Sequence, residues 1–308
     1  MTNIKHNNIK GSAILCTAAL IWGLAFVAQS GAADKVAPFI CNALRSFIAA
    51  VVLLLFWTFQ NRKTKTPFFT KETKNIYLKA GLICGLCLAV SVNFQQFGIA
   101  AYPKGAASEA RAGFLTVLYV IIVPILSVFL KKKIVLPVWV GVFIAVAGIY
   151  LLCFSEGVEG IYLGDLLVLF CAFTFSLHII SVDKFVGITG GVKLSIMQFA
   201  VCGLISLIMS LFFECDTLNL NNILSAAPQI LYLGVMSSGV AYTLQVVGQK
   251  YAEPTVASIS MSLESVFAAL GGWLISGNNL SSREFLGCGL VFAAIIIAQL
   301  PDFKFKKT

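Results

Sequence analysis

Charged residues are scarce in this chain of 308 residues: they make up 11% of it, whereas 59% of the residues are hydrophobic. Soluble domains carry about 25% charged and about 45–50% apolar residues. A chain with so little charge lacks the polar groups that cover a water-facing globule, and its apolar content excludes intrinsic disorder. Together with a mean hydropathy of +0.92, this composition indicates a protein with many membrane spans.

Catalytic and metal-binding motifs are also lacking. The sequence has only two histidines, His6 and His178, so a multi-histidine site cannot form. It contains no H-E-x-x-H, G-x-S-x-G or G-x-x-x-x-G-K-[ST] pattern. Most of the nine cysteines fall inside apolar runs, which does not fit a disulfide framework. We therefore expect no enzyme activity, no metal and no cofactor, and nucleotide-driven pumping would need another subunit.

Long apolar runs are what the sequence has instead. A spanning helix needs about 20 mostly apolar residues, and continuous runs favour helices over the alternating strands of a barrel. The first run exceeds the about 7–15 residues of a signal-peptide core, so we interpret it as a retained span. The sequence predicts an all-α membrane protein with ten transmembrane helices, at 12–33, 38–59, 78–101, 106–130, 136–154, 163–183, 194–213, 228–249, 255–275 and 284–301.

Basic residues are distributed unevenly between the segments that join these runs. If the N-terminus is cytoplasmic, 17 of the 22 Lys and Arg residues lie in the inner segments. Cytoplasmic loops of membrane proteins carry this excess. The prediction is a multi-pass protein of the plasma (inner) membrane with both termini in the cytoplasm. Topology then accounts for the net charge of +9, and nucleic-acid binding is not needed.

Similar residues recur at a nearly constant distance along the chain. Gly11 and Gly164 open the first and sixth runs, 153 residues apart, and Arg45 and Gln198 keep the same offset. Further pairs are Gln95 with Gln245, Gly98 with Gly248, and Gly141 with Gly287. These matches predict a duplication into 1–155 and 156–308. Because each half holds five spans, the second half must enter the membrane from the opposite side, an architecture typical of secondary transporters.

Several segments carry a family resemblance. The run IWGLAFVAQSGAADKVAPFICNALRSFIAAVV (21–52), with Trp22-Gly23, Pro38 and Arg45, resembles the first two helices of the drug/metabolite transporter superfamily, in its ten-helix EamA-type branch. The segments 93–102, 113–124 and 262–273 are similar to further parts of that family, although Ser265 stands where the family often has proline. The resemblance implies movement of small metabolites, such as amino acids, nucleobase-like compounds or xenobiotics, across the plasma membrane.

Polar residues inside the predicted spans are the candidate site. Glu264 lies about 15 Å into the ninth span, close to the bilayer midplane, where a charge is costly. It either lines a cavity, where it contacts substrate or carries a proton, or serves a helix–helix contact. Amides and aromatic rings at similar depth have the same two interpretations, binding or packing. The residues predicted to line a substrate cavity are Trp22, Asn93, Gln96, Tyr119, Tyr242, Gln245 and Glu264.

Four charged residues near the outer ends of the spans are predicted to form a gate or ion pair. Arg45 could bind an anionic substrate group, but we expect it to pair with Asp165 or Glu109. Glu109 and Arg111, which begin the fourth span, form either a gating pair or a solvated span end.

The function predicted from these observations is alternating access by a secondary transporter around a cavity between the two halves. The alternative is a membrane channel or a non-transporting scaffold, although channels usually show repeated filter or ring elements. The expected partners are a small-molecule substrate and the lipid bilayer, with a homodimer as a further option.

Overall fold

The computed structural model describes residues 8–62, 66–103, 108–153, 162–276, 281–298 and 300, and within these ranges all regular elements are helical. A short 3₁₀ turn precedes α9, and a π-helical segment, Tyr232–Ala241, lies between α10 and α11. The α-helices are α1 (Asn8–Ala33), α2 (Pro38–Gln60), α3 (Lys74–Ala100), α4 (Ser108–Thr116), α5 (Tyr119–Phe129), α6 (Leu136–Cys153), α7 (Leu163–Thr189), α8 (Gly191–Phe213), α9 (Leu220–Ser225), α10 (Ala227–Leu231), α11 (Tyr242–Gln249), α12 (Pro254–Met261), α13 (Leu263–Ser276) and α14 (Ser282–Ala298).

Seven helical stretches in the described part of the chain are long and apolar enough to cross a bilayer. Leu136–Leu151 and Phe285–Ala298 are apolar but shorter. Large apolar side chains such as Phe129 and Phe143 face outward, with 79% and 70% of their surface exposed. A helical protein that turns apolar side chains outward fits lipid as its solvent. The predicted helical membrane protein is confirmed, whereas ten crossings in two inverted halves stays a prediction.

Two of the predicted continuous spans are broken near their middle. The fourth is divided into α4 and α5 at Val117 and Leu118, and the ninth into α12 and α13 at Ser262. At the second break the Ser262 hydroxyl donates to the Ile259 carbonyl at 2.7 Å, and the Ser265 hydroxyl donates to the Ser262 carbonyl at 2.8 Å. These hydroxyls satisfy carbonyl groups that irregular backbone would leave unpaired in a membrane.

The two ends of the bundle are distinguished by their contacts. Lys193, near the start of α8, donates to the carbonyls of Pro67 and Phe68 in the α2–α3 connection. Lys132, which follows α5, bonds to Asp183 near the end of α7 at 2.6 Å. We call this the basic end, and we call the opposite end, where α2 begins, the far end.

Glu214 caps α2 at the far end. Its carboxylate, at the end of α8, accepts the backbone N–H groups of Phe39 and Ile40 at 2.9 Å each. Pro38 opens α2 with the backbone angle a helix needs. Burial raises the pKa of Glu214, and the two N–H bonds oppose that shift. The cap ties α8, in the second half of the chain, to α2 in the first.

Glycine residues set the distance between the two helices in each of two pairs. A Cβ atom on Gly11 of α1 would lie 2.6 Å from the Cβ of Ala252 and 3.1 Å from the carbonyl oxygen of Gly248. A Cβ on Gly164 of α7 would lie 2.7 Å from the carbonyl oxygen of Gly98 in α3. The α1–α11 pair at the basic end and the α3–α7 pair at the far end are therefore backbone-to-backbone approaches that small residues permit.

The main apolar core joins the two halves of the chain. It includes Leu15 of α1, Leu88 of α3, Val120 of α5, Phe199 of α8 and Val256 of α12, which are at most 2% exposed. Because helices from both halves contribute to one core, the polar residues that lie among them are held between the halves.

Candidate functional site

A cavity lies among these helices, with about 460 Å³ of space between its atoms when the part open to solvent is included. Its lining comes from α1, α2, α3, α4, α5, α7, the π-helical segment, α11, α12 and α13. The lining residues are Trp22, Ala25, Phe26, Gln29, Arg45, Gln95, Thr116, Tyr119, Phe175, Ile179, Ser237, Tyr242, Gln245, Met261 and Glu264.

The structure brings five of the seven predicted cavity residues together. Trp22 and Tyr119 come from the first half of the chain, and Tyr242, Gln245 and Glu264 come from the second. Four of them lie within helical stretches long and apolar enough to cross a bilayer, and Glu264 lies at the start of α13. The cavity therefore sits where the two halves meet.

Tyr119 and Glu264 face each other from the two broken spans. Tyr119 is the first residue of α5 and Glu264 the second of α13, so each directly follows a break. The Tyr119 hydroxyl donates to Glu264 Oε1 at 3.1 Å. Glu264 is 5% exposed and lies in the first turn of α13, where the helix dipole favours a negative charge. The breaks thus place a hydrogen-bonded carboxyl group in the cavity wall.

Aromatic rings form a second part of the wall around Tyr242. The Trp22 ring meets it edge-on with 4.7 Å between centroids, and Phe175 stacks at 6.4 Å. Trp22 Nε1 donates to the carbonyl oxygen of Ser237 at 3.3 Å, which fixes the indole against the π-helical segment. Such rings offer a flat apolar surface to a bound molecule.

Hydrogen-bonded polar side chains form a third part of the cavity wall. Gln29 Nε2 donates to Gln95 Oε1 at 2.9 Å, and Gln95 Nε2 donates to Thr116 Oγ1 at 3.1 Å. These three bonded side chains connect α1, α3 and α4. They supply further donors and acceptors to the cavity.

Asn93 and Gln96, although predicted to line the cavity, are not among its lining residues. Asn93 Nδ2 donates to Ser206 Oγ at 2.9 Å, and its Oδ1 accepts from Asn42 at 3.0 Å. Gln96 Nε2 donates to the carbonyl oxygen of Gln29 at 3.0 Å. Adjacent helical residues point about 100° apart, and on α3 it is Gln95 that lines the cavity while Gln96 ties two helices together.

Arg45 lines the cavity and does not pair with Asp165, which corrects one of its two expected ion pairs; the other, with Glu109, lies outside the described side chains. Its Nε donates to Ser238 Oγ at 3.0 Å and its Nη2 to Ser237 Oγ at 3.2 Å. The close approach of α2 to the π-helical segment makes these bonds: a Cβ on Gly234 would lie 2.8 Å from the Cβ of Ile48. Arg45 therefore bonds to two neutral hydroxyls.

Asp165 instead pairs with Arg111 at the far end. Arg111 Nη2 and Nε donate to the two carboxylate oxygens at 2.7 and 3.1 Å. Tyr102 Oη donates to the same carboxylate at 2.8 Å, and the Tyr162 N–H at 2.9 Å. Burial and the neighbouring carboxylate raise the pKa of Tyr102, so it remains a donor at neutral pH. We call these four residues the far-end lock; the side chain of Glu109 lies outside what the structure describes.

Sequence reasoning missed several lining residues. Gln29 sits near the end of α1, where a polar residue resembles an ordinary span end, and Thr116 and Ser237 are common packing residues in membrane helices. No local sequence pattern predicts the π-helical turns that carry Ser237. The one available signal was the adjacent pair Gln95-Gln96, which the sequence cannot resolve into a cavity residue and a packing residue.

Chemically, the described side chains of the cavity wall can donate and accept hydrogen bonds and offer an apolar surface to a ligand. It combines a guanidinium, a carboxyl group, amides, hydroxyls and aromatic rings. Among the described residues no group of three His, Cys, Asp or Glu side chains could hold a metal ion. A cavity between apolar helices with polar side chains in its wall is typical of membrane transport proteins.

Comparison with known proteins identifies the family. The model of the EamA-like transporter family matches residues 9–154 and again residues 162–299. The chain belongs to this family, which is part of the drug/metabolite transporter superfamily. It is a membrane transporter and not an enzyme.

The relatives agree with this class. An uncharacterized transporter of Archaeoglobus fulgidus is 29% identical over 296 residues, covering 93% of this chain and 84% of that protein. The uncharacterized transporter YoaV of Bacillus subtilis is 24% identical over 286 residues, covering 90% and 92%. One solved crystal structure aligns with a TM-score of 0.74 and 18% identity over 94% of this chain and 98% of that chain, which shows a shared fold.

Proposed function

We propose that this protein is a secondary transporter that moves a small metabolite across the plasma membrane by alternating access. Ten helices form two inverted five-helix repeats, 1–155 and 156–308, with both termini in the cytoplasm, so that the basic end is the inner end. The observation that carries the proposal is the cavity at the junction of the halves, with equivalent helix contacts at its two ends.

The glycine contacts support the inverted repeat. Gly11 corresponds to Gly164 and Gly248 to Gly98 by the offsets in the sequence. The contact between Gly11 and Gly248 at the basic end is thus the counterpart of that between Gly164 and Gly98 at the far end. Two equivalent contacts at opposite ends are what a pseudo-two-fold axis in the membrane plane requires.

Further contacts follow the same relation. A Cβ on Gly85 would lie 2.6 Å from the Cβ of Val201, and one on Gly234 would lie 2.8 Å from the Cβ of Ile48. Ile48 and Val201 are 153 residues apart, and the family model matches each half separately. The duplication therefore has support from both sequence and packing.

The two ends are closed by side-chain pairs at corresponding positions. Asp165 of the far-end lock corresponds to Ser12 of α1 by the offset of 153. Ser12 accepts a hydrogen bond of 2.8 Å from Ser260 of α12, and Ser260 lies 149 residues after Arg111. An ion pair closes one end and a hydroxyl pair the other. Opening these contacts in alternation would expose the cavity first to one side of the membrane and then to the other.

Counterflow in proteoliposomes tests this function. A thermal-shift screen of the purified protein against amino acids, nucleobases and related metabolites first identifies a bound compound, because a ligand stabilises the folded state. Vesicles preloaded with that compound should then take up labelled compound faster than empty vesicles. Flux that is indifferent to the preloaded compound would indicate a channel and contradict alternating access.

A further inference from the structure

Arg45 forms no ion pair with any side chain that the structure describes. The residue is 3% exposed, and both of its hydrogen bonds go to serine hydroxyls. The two ion pairs in the described part of the chain use other residues, Arg111 with Asp165 and Lys132 with Asp183. A guanidinium stays charged at every physiological pH, so Arg45 is a buried cation whose described hydrogen bonds both go to neutral hydroxyls.

One nitrogen of the same guanidinium lacks a hydrogen-bond partner among the described residues. This nitrogen, Nη1, is buried. Arg45 lines the cavity together with Ser237. The Ser237 oxygen accepts from Nη2, so its own O–H is left to donate. Fixed N–H and O–H donors beside a positive charge, in one cavity wall, are the groups that bind an anion.

The rest of the cavity restricts which anion fits. Arg45 is the one Lys or Arg side chain among the described lining residues, so the cavity offers a counter-charge to a single carboxylate. The rings of Trp22, Tyr242 and Phe175 provide an apolar surface for the remainder of a molecule. A small organic molecule with one carboxylate and an apolar part satisfies both conditions.

We propose that Arg45 and Ser237 form a carboxylate subsite in the cavity, and that this transporter binds small organic monocarboxylates through it. The inference rests on the proposed transport function and adds the substrate class. Ser237 and Ser238 hold the guanidinium plane, and the ligand carboxylate takes the Nη1 edge as its counter-ion.

Matched ligand pairs test the subsite by binding alone. Purified protein at pH 7.5 is titrated with aliphatic and arylalkyl monocarboxylates, such as hexanoate and phenylacetate, and with their carboxamides, which have the same shape but no charge. The wild-type protein should bind at least one carboxylate about ten- to hundredfold more tightly than its amide, the range expected for charge-assisted hydrogen bonds. Equal affinities throughout the panel would overturn the proposal.

Variants of Arg45 and Ser237 test whether these residues cause the preference for carboxylate over amide. Arg45→Gln should abolish the preference for carboxylate over amide, Arg45→Lys should retain part of it, and Ser237→Ala should weaken carboxylate binding about three- to tenfold. Arg283→Gln, which removes an exposed arginine outside the cavity, is the matched control and should leave the preference unchanged. A preference that survives in a folded Arg45→Gln or Arg45→Lys protein at wild-type strength would overturn the subsite.

Transport measurements distinguish a failure of the carboxylate subsite from a failure of the proposed transport function. If counterflow occurs with a neutral compound while no carboxylate is preferred, the subsite is wrong and the transporter stands. If a carboxylate preference depends on Arg45 but no counterflow is found with the bound compound, the subsite is supported and alternating access is wrong.

Discussion

Tyr119 and Glu264 form a hydrogen bond of 3.1 Å across the cavity, linking a broken span of the first half to a broken span of the second. Because Tyr119 belongs to one half of the chain and Glu264 to the other, we expect this contact to change when the halves move. We propose that ligand binding and protonation of the carboxyl group act on helix movement at this pair.

Glu264→Gln should change transport or its pH dependence while membrane expression stays normal. The amide keeps the shape of the side chain and can still accept a hydrogen bond from Tyr119. It cannot take up or release a proton, however, and it has no negative charge. We expect at least a tenfold loss of transport rate or a flat pH profile, measured as counterflow between pH 5.5 and 8.5. Glu253→Gln, at an exposed position before α12, is the matched control. Unchanged counterflow at every pH would remove Glu264 from the mechanism.

Asp165→Asn should destabilise the protein far more than Asp183→Asn. Asp165 accepts hydrogen bonds from three residues of the far-end lock, and its side chain is 9% exposed, so the substitution removes its buried ion pair with Arg111. The expected cost is about 3 kcal/mol. The Lys132–Asp183 pair has a lysine side chain that is 45% exposed, so breaking it should cost about 1 kcal/mol or less. Thermal unfolding in detergent measures the loss of stability in both variants. Equal decreases in melting temperature would show that the far-end lock stabilises the protein no more than the exposed pair does.

Glu214→Ala should loosen the start of α2. The substitution removes both acceptors from the N–H groups of Phe39 and Ile40, and loss of a helix cap costs about 0.5–2 kcal/mol. Asp216→Ala, two residues later and exposed, is the control. Amide hydrogen exchange at the first turn of α2 should rise in the first variant and not in the second. Equal exchange rates at this turn in the two variants would contradict the role of Glu214 as the cap of α2.

Gly11→Ala and Gly164→Ala should have similar effects, because they occupy equivalent positions. In each, the new Cβ would approach backbone or Cβ atoms of the facing helix to 2.6–2.7 Å, and overpacking costs about 1–3 kcal/mol. Gly289 of α14 has nothing within 4 Å of its Cβ position, so Gly289→Ala should be neutral or stabilising. Melting temperatures compare the three. A large loss at Gly289, or none at Gly11 and Gly164, would show that glycine contacts do not set the helix spacing.

The sequence predicts helices well here, because a membrane helix is specified by composition over a long window and needs no partner. Pairs of equivalent residues such as Gly98 and Gly248 were also visible, since duplication leaves a regular offset. Their contacts with Gly164 and Gly11 give those offsets a physical reason. Helix type and repeat period are properties of the chain itself.

The cavity was predicted less completely because it depends on how helices pack. Glu264 and Tyr119 could be found from their depth alone. The choice between Gln95 and Gln96 depends on the rotation of α3 about its axis. The bond from Arg45 to Ser237 depends on π-helical turns that pack against α2. Side-chain partners from distant parts of the chain have no local signature.

Paired spin-label distances test the central claim, that the two ends of the cavity open in alternation. In a protein whose native cysteines are replaced, labels on exposed Ala101 and Leu163 report the far end, and labels on exposed Ile9 and Lys250 report the basic end. When the compound from the thermal-shift screen is added, one distance should lengthen as the other shortens. If both distances change in the same direction, or if neither changes, the alternating-access account is contradicted.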